Sequence, residues 1–220
     1  MSAVLLQFDP LKANQGSADL CDLRFRGLLR PAEWDALPVE VRRRFSKRLE
    51  GAQTALYRGL VIDMHMSPIG WLLAQLCRLF GSPLPLSRKA GGSALVSVTE
   101  DSAGNGQCWT RIYGRESHFP QVIHSAKRFR GSTGLEEYLG RGLGMALRVE
   151  ALSDGIAFVS DHYFLELLGR RMRMPALLSP GETRVSHRQI AGTSFIFGLE
   201  LRHPLAGLLV RQQVLFDDVE

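Results

Sequence analysis

The sequence predicts an α+β fold: a curved antiparallel β-sheet, a half-barrel-like meander, with one apolar helix packed on its concave face and short N-terminal helices. Three observations lead to this prediction. From Gly92 onward, turn residues separate alternating apolar and polar runs at intervals that suit antiparallel strands. Residues 67–80 form the one strongly apolar helical stretch. No comparable helical pattern stands between the later strands, which argues against a doubly wound parallel sheet.

Local signals define the ends of this apolar helix. Ser67 is suited to cap its N-terminus, Pro68 to occupy its first position, and Gly81 to end it. About a dozen helical residues rise only about 18 Å, less than the roughly 30 Å of a bilayer core. We therefore predict no transmembrane segment, and a helix that is buried in protein or lies along a surface.

Two short helices and a long strand precede the apolar helix. Pro31 opens the first helix, and Pro38 begins a second, basic helix that reaches about Phe45. Residues 54–65 then alternate between apolar and polar side chains. This alternation predicts a first strand that leads directly into the apolar helix.

The later strands are bounded by turn residues. Asp154-Gly155, between two alternating runs, is the strongest hairpin signal. The strands predicted after the apolar helix are 94–100, 107–113, 145–152, 156–167, 184–190, 193–201 and 208–216. They show no internal repeat, so we expect a meander and not a propeller or solenoid.

Composition places the chain among ordinary globular proteins. Its 220 residues are 45% apolar and 22% charged. We predict an N-terminal extension over residues 1–24 and a single domain over 25–220. The three cysteines lack a Cys-x-x-Cys pair and the N-terminus has no basic leader, so we expect no disulfide framework and a cytoplasmic location.

Basic residues exceed acidic ones, giving a formal charge of +5. They gather at 42–48, 127–130 and 170–173. Two interpretations stay open, solvated faces or a patch for anions or a membrane surface. Aromatic residues do not interleave these clusters as a nucleic-acid stacking platform requires, so no nucleic-acid partner is expected.

A first candidate site lies on the strand 107–113. Trp109, Arg111 and Tyr113 share one face because side chains alternate along a strand. An arginine between two aromatic rings is suited to hold a carboxylate or phosphate while the rings pack an apolar body. The alternative is a surface cation–π stack without a ligand.

The run 122–130 is the densest polar stretch of the chain. His124, Lys127 and Arg128 are candidates for holding an anion. The alternative is a set of structural ion pairs with Glu136 and Glu137.

A possible catalytic residue is His162. Strict alternation puts it on one face with Phe158 and Glu166, where a histidine can serve as general acid or base. The alternative is a hydrogen-bonded, half-buried histidine. The other histidines lack metal-ligand spacing, and the glycines at 140–144 lack the dinucleotide-loop spacing, so we expect no metal and no cofactor.

Several segments in the same order resemble the bacterial family catalogued as domain of unknown function 4166. The resemblance covers roughly residues 25–217 and is carried by Leu37-Pro38, Val41-Arg42, the apolar helix with 81–85, Trp109-Thr110-Arg111 and the closing 203–208. The family implies no established activity or catalytic residues. Similar domains follow a saccharopine-dehydrogenase-like or other nucleotide-binding oxidoreductase region in longer chains, which implies an accessory role beside a separate oxidoreductase partner.

Three hypotheses for function follow. The leading one is a non-enzymatic module that binds an apolar or amphiphilic, lipid-like small molecule in a cavity between sheet and helix, lined by Phe195 and Phe197, with Trp109 and Arg111 near the mouth. The second is an enzyme for a hydrophobic substrate, with His162 as proton shuttle and Arg111 or Lys127 stabilising negative charge. The third is an interaction domain for an oxidoreductase that uses the basic face around residues 42–48 or 170–173, and a large exposed apolar patch beside that face would favour it.

Overall fold

The computed structural model describes residues 22–49, 53–81, 83–168 and 170–218. Three α-helices occur there, α1 (Pro31–Asp35), α2 (Val39–Phe45) and α3 (Pro68–Leu76), with 3-10 turns at Arg26–Leu28, Cys77–Phe80 and Ala176–Leu178. The strands are β1 (Ala55–Met66), β2 (Ser93–Asp101), β3 (Gly106–Arg115), β4 (His118–Arg128), β5 (Glu136–Gly140), β6 (Leu143–Leu152), β7 (Gly155–Leu167), β8 (Arg170–Arg173), β9 (Glu182–Ala191), β10 (Ser194–His203) and β11 (Gly207–Asp218). All strand pairs are antiparallel.

Ten of these strands form a closed barrel. Their order around the ring is β6-β5-β4-β3-β2-β1-β11-β10-β9-β7, and β6 pairs with β7 to complete it. β8 pairs with β7 alone and stands outside the ring. The predicted α+β class and half-barrel are therefore wrong: the chain is mainly antiparallel sheet with few helices, and β1 also pairs with β11, with Val61 opposite Val214. Closure gives both strands a hydrogen-bonded neighbour on each side, where an open sheet would leave edges.

The two ends of the barrel are covered differently. At the closed end, α1, α2 and residues 22–29 form an apolar plug in which the Phe25 and Phe45 rings meet edge to face with centroids 5.1 Å apart. Arg44 of α2 there donates a hydrogen bond to Gln189, near the end of β9. The opposite end, called the lid end below, is covered by α3.

The helix prediction is confirmed, but its predicted position is not. The Ser67 hydroxyl accepts a 3.0 Å hydrogen bond from the Gly70 N–H, Pro68 is the first helical residue, and Gly81 ends the following 3-10 turn in the left-handed region at φ 97°. α3 covers one mouth of the barrel and does not lie on a concave face, because a closed sheet offers no open face for it.

The predicted domain boundary falls close to the start of the described residues. Of the predicted extension, only residues 22–24 lie among them. Asp22 is fully buried and pairs with Arg24, which also holds Glu100 of β2. The division into an extension and one domain stays a prediction.

α3 packs directly on the backbone of β11, which makes Gly70 a close-contact position. A Cβ added at Gly70 would lie 2.1 Å from the carbonyl oxygen of Leu209. We expect Gly70→Ala to push the helix away from β11 and to lower the free energy of unfolding by about 1–3 kcal/mol in urea titrations, although alanine favours helices. Gly27→Ala is the control, because nothing lies within 4 Å of its added Cβ. Equal stability of the two variants would contradict this packing.

Candidate functional site

A cavity of about 580 Å³, partly open to solvent, occupies the lid end of the barrel. α3 and its 3-10 turn cover it with Ile69, Leu73, Leu76, Cys77 and Phe80. The barrel wall is also mainly apolar and includes Leu139, Leu143, Met145, Leu165, Val185, Leu199, Leu201 and Leu209. These side chains face inward because every second residue of a barrel strand does so.

The polar groups of the cavity are few. The side-chain hydroxyls of Tyr163 and Thr183 form a hydrogen bond with each other, and their oxygens lie 2.6 Å apart. Arg111 of β3 and Glu137 of β5 are the two charged residues among those that line it. Arg111 lies midway along β3, so it forms the floor of the cavity, whereas the sequence predicted it near the mouth.

Arg111 and Glu137 belong to a buried charged cluster with Lys127 of β4. The Lys127 Nζ lies 2.9 Å from one carboxylate oxygen of Glu137, and the Arg111 Nη2 lies 3.3 Å from the other. Arg111 Nη2 also donates to the Ser125 hydroxyl at 2.5 Å. The buried Arg111 Nε has no hydrogen-bond partner among the described residues. Two cations thus share one carboxylate.

The protonation of the cluster follows from this imbalance. Burial alone would raise the pKa of Glu137, but Lys127 and Arg111 outweigh it and lower that pKa to about 2. Burial lowers the pKa of Lys127, and Arg111 lowers it further, while Glu137 offsets only part of the effect. A lowered pKa favours the ionised form of Glu137 but disfavours the ionised form of Lys127. The two residues differ in this way because the carboxylate lies beside two cations, whereas the ammonium lies beside one carboxylate and a second cation. With all three groups ionised, the cluster carries one net positive charge.

Aromatic residues separate the cluster from the closed end. The Lys127 Nζ lies 5.0 Å from the centre of the Trp109 ring and 5.3 Å from that of Phe158. Beyond them, His187 stacks on Phe195 with ring centroids 4.3 Å apart, and Phe197 is within the same aromatic group. Phe195 and Phe197, which the sequence predicted to line the cavity, are not among its lining residues.

The remaining predicted site residues divide between the inside and the outside of the barrel. Tyr113 is buried on the same face as Arg111. His124 and Arg128 face outward, where His124 Nδ1 lies 3.1 Å from the Thr110 hydroxyl and Arg128 Nε donates to Asp101 at 2.8 Å. The structure brings together Trp109, Arg111 and Lys127. The sequence predicted Glu137 only as an ion-pair partner. Its place at the cavity could have been predicted if residues 136–140 had been recognised as a strand.

His162 does not face the cavity. In the β6–β7 pairing, Leu147 lies opposite Ser160 and Ala146 opposite His162, so β7 contains a bulge at Asp161. The bulge shifts the alternation, and the cavity is lined by Tyr163 instead. His162 Nδ1 lies 2.8 Å from an Asp161 carboxylate oxygen. The predicted shared face was wrong because a bulge reverses the parity of every residue beyond it.

Three further features of the described residues concern metal ligands, free thiols and membrane-spanning helices. No three His, Cys, Asp or Glu side chains within those ranges converge as a metal ion would require. Cys77 and Cys108 are free thiols, and Cys21 lies outside the described residues. No helix in the described part of the chain is both long and apolar enough to span a membrane.

Fold and cavity together define the class: a closed antiparallel β-barrel with an apolar interior cavity, a form compatible with a ligand-binding module. The chain belongs to the family described as domain of unknown function (DUF4166), whose model matches residues 37–216. This match confirms the family resemblance seen in the sequence. No curated protein and no solved structure matches the chain significantly. The oxidoreductase partner and the cytoplasmic location stay predictions.

The buried His187 should make stability depend on pH. Burial lowers its pKa well below the usual 6.5, and Arg44 and Lys127 lower it further. The folded protein therefore keeps this ring neutral while the unfolded chain takes up a proton below about pH 6.5. We expect the free energy of unfolding to fall with decreasing pH there, by at most about 1.4 kcal/mol per pH unit from this residue.

Urea titrations between pH 7 and 5 check this expectation. His187→Phe should reduce the slope, and His124→Gln, an exposed-histidine control, should keep it. Glu137 contributes to stability over a separate pH range. Because its pKa is lowered in the folded protein, the ionised carboxylate stabilises the fold fully above about pH 4.5, and this contribution is lost as the pH falls toward 2. An unchanged slope in His187→Phe would show that the ring titrates freely.

Removing different members of the charged cluster should have unequal effects. Glu137→Gln leaves two buried cations without a carboxylate, and we expect it to lower the free energy of unfolding by about 3–5 kcal/mol. Lys127→Met leaves the Arg111–Glu137 pair neutral, so it should cost less. Urea titrations at pH 7 measure both. A larger loss in Lys127→Met would contradict the charge balance described above.

Proposed function

We propose that the protein is a binding module for an amphiphilic small molecule, whose apolar body fills the cavity and whose negatively charged head contacts Arg111. The observation that supports this most directly is the apolar cavity that ends on a buried guanidinium. Small-molecule sites share this composition, with mainly apolar walls and a few placed polar groups.

The size of the cavity supports a ligand. Protein cores are close-packed, and voids larger than a water molecule are few in them. A space of about 580 Å³ is far beyond such a void and falls in the range of roughly 300–1,000 Å³ that is usual for ligand pockets. Filling it removes apolar surface from water at about 25 cal/mol per Å², which favours a guest with a long apolar body.

The charge of the cluster supports an anionic head. With all three groups ionised, one net positive charge remains after Glu137 has paired with Lys127 and Arg111. Of the five N–H donors on the Arg111 guanidinium, those on Nη2 hold Ser125 and Glu137. A carboxylate head would accept from the remaining donors and neutralise the cluster in a low-dielectric setting, where charge-assisted hydrogen bonds are strongest.

Competition with a fluorescent fatty acid tests the proposal. We expect cis-parinaric acid to bind with enhanced emission and hexadecanoate to displace it at least about ten-fold better than hexadecanol, which has the same chain and a neutral head. Arg111→Met should abolish this preference while keeping the fold, because it leaves a neutral Lys127–Glu137 pair.

Arg128→Met is the matched control. It removes an arginine of the same barrel whose side chain faces outward to Asp101, so it should keep the wild-type preference for hexadecanoate. The proposal fails if neither lipid competes with the probe, or if Arg111→Met still prefers the acid. Circular dichroism of each variant establishes that the barrel is intact.

The two alternative functions lack support of this kind. His162, the predicted proton shuttle, lies outside the cavity beside Asp161. The surface for an oxidoreductase partner stays a prediction, which the sequence places on the basic residues at 42–48 or 170–173.

A further inference from the structure

The outer face of α3 is also mainly apolar, although Gln75 and the following Arg78, which are hydrogen-bonded to each other, interrupt it. Ile69, Leu73 and Cys77 line the cavity, although Ile69 is itself 56% exposed. Trp71 and Leu72 do not line it, and their exposed fractions are 43% and 55%. In the following 3-10 turn, Leu79 is 63% exposed. A surface helix of a globular protein normally presents polar residues to water. The exposed side of α3 is therefore an unpartnered apolar surface.

The loops around the same mouth of the barrel extend this surface. Four large apolar side chains are at least 90% exposed within the described ranges: Phe119, Leu168, Leu177 and Leu205. All four lie in or beside the connections β3–β4, β7–β8, β8–β9 and β10–β11, which stand at the lid end. We call α3 with its 3-10 turn and these four side chains the lid surface. Because each of these four side chains is almost fully exposed, they do not pack against one another.

The charges around the lid surface are almost all positive. The connecting segments at this end are 67–92, 115–118, 140–143, 167–181 and 203–207. Within their described residues the only carboxylate is Glu116, which pairs with Lys89. The cations there are Arg78, Arg88, Lys89, Arg115, Arg141, Arg170, Arg171 and Arg173, of which Arg171 is paired with Glu136 of β5. Connections at the closed end, in contrast, mix acidic residues such as Asp101, Asp154 and Asp217 with basic ones.

We propose that the lid surface docks on an anionic lipid bilayer, with α3 lying in the plane of the interface. Interfacial helices bury an apolar face about 5–10 Å into the boundary between head groups and acyl chains, and basic residues around them are attracted to anionic lipids. Trp71 is suited to the interface, where tryptophan is enriched. If the proposed function holds, docking also brings the covered mouth of the cavity to the place where amphiphiles reside.

A bilayer fits this surface better than a second copy of the chain. Two lid surfaces facing each other would oppose one cluster of cations to another, and like charges across an interface cost several kcal/mol. A bilayer accepts projecting side chains from several loops at once, because it is deformable, and its anionic head groups complement the cations.

Vesicle sedimentation tests the docking. Vesicles of phosphatidylcholine with about one-third phosphatidylglycerol should bind the wild-type protein, pure phosphatidylcholine should bind it at least about ten-fold more weakly, and rising salt should release it. The double variant Leu72→Gln/Leu79→Gln should lower the partition coefficient at least about ten-fold. Its matched control is Leu23→Gln/Val39→Gln, which changes two exposed apolar residues at the closed end and should bind like wild type.

Tryptophan fluorescence gives an independent reading of orientation. Trp71 is exposed on α3, whereas Trp34 and Trp109 are buried, with exposed fractions of 4% and 8%. Vesicles that contain brominated phosphatidylcholine should quench part of the wild-type emission, and that part should vanish in Trp71→Phe. Arg111→Met should dock normally even if it loses its ligand preference, so a failure of docking and a failure of ligand binding are distinguishable.

Several outcomes would overturn the proposal. Absence of vesicle binding, or binding that the Leu72→Gln/Leu79→Gln variant retains in full, would remove α3 as the docking element. Equal binding to both kinds of vesicle would remove the role of the cations. A wild-type dimer that this variant converts to a monomer in size-exclusion chromatography would show instead that the lid surface joins two copies of the chain.

Discussion

The pairing of the first strand with the last is the constraint on which the rest of the structure depends. β1 and β11 are hydrogen-bonded from Tyr57–Asp218 to Met66–Val210, and this seam turns a long meander into a ring. A barrel of about eight strands is just filled by its own side chains, and the diameter grows with each strand added. Ten strands therefore enclose more space than their inward residues occupy. Residues 22–29 and α2 fill it at one end with Phe25 and Phe45, and the other end retains a cavity.

The charged cluster stands where these two halves meet. Arg111, Lys127 and Glu137 are all buried, although an apolar set of similar volume is often equally stabilising or more so. Stability alone therefore does not account for a cluster at the middle of the barrel, in contact with aromatic packing on one side and with an apolar cavity on the other. An anionic ligand head that neutralises the remaining positive charge of the cluster would account for its position, and we therefore propose that the cluster binds the head of a ligand.

Local sequence signals predict the local features of this molecule, but they do not predict that the sheet closes into a barrel. The limits of α3 follow from Ser67, Pro68 and Gly81, because helix caps act within one turn. Alternation also predicts that Trp109 and Arg111 share a face. The β1–β11 seam joins residues about 150 positions apart and has no local signature. The strands predicted from the sequence also did not include β4, β5 or β8. The bulge at Asp161 likewise depends on pairing with β6, so His162 was placed on the wrong face.

α3 shows why a helix predicted to pack on a concave sheet face can lie partly at the surface. Its composition suggested burial because apolar residues occur around its whole circumference, and only Gln75 and the following Arg78 interrupt them. In the structure one side of the helix meets the cavity and the other meets solvent. Exposed apolar area of this extent is unfavourable in water, so the composition is consistent with apolar surroundings on both sides. An amphiphile within the barrel and a bilayer outside it would supply both, and the proposed ligand and the proposed docking then account for the same short helix.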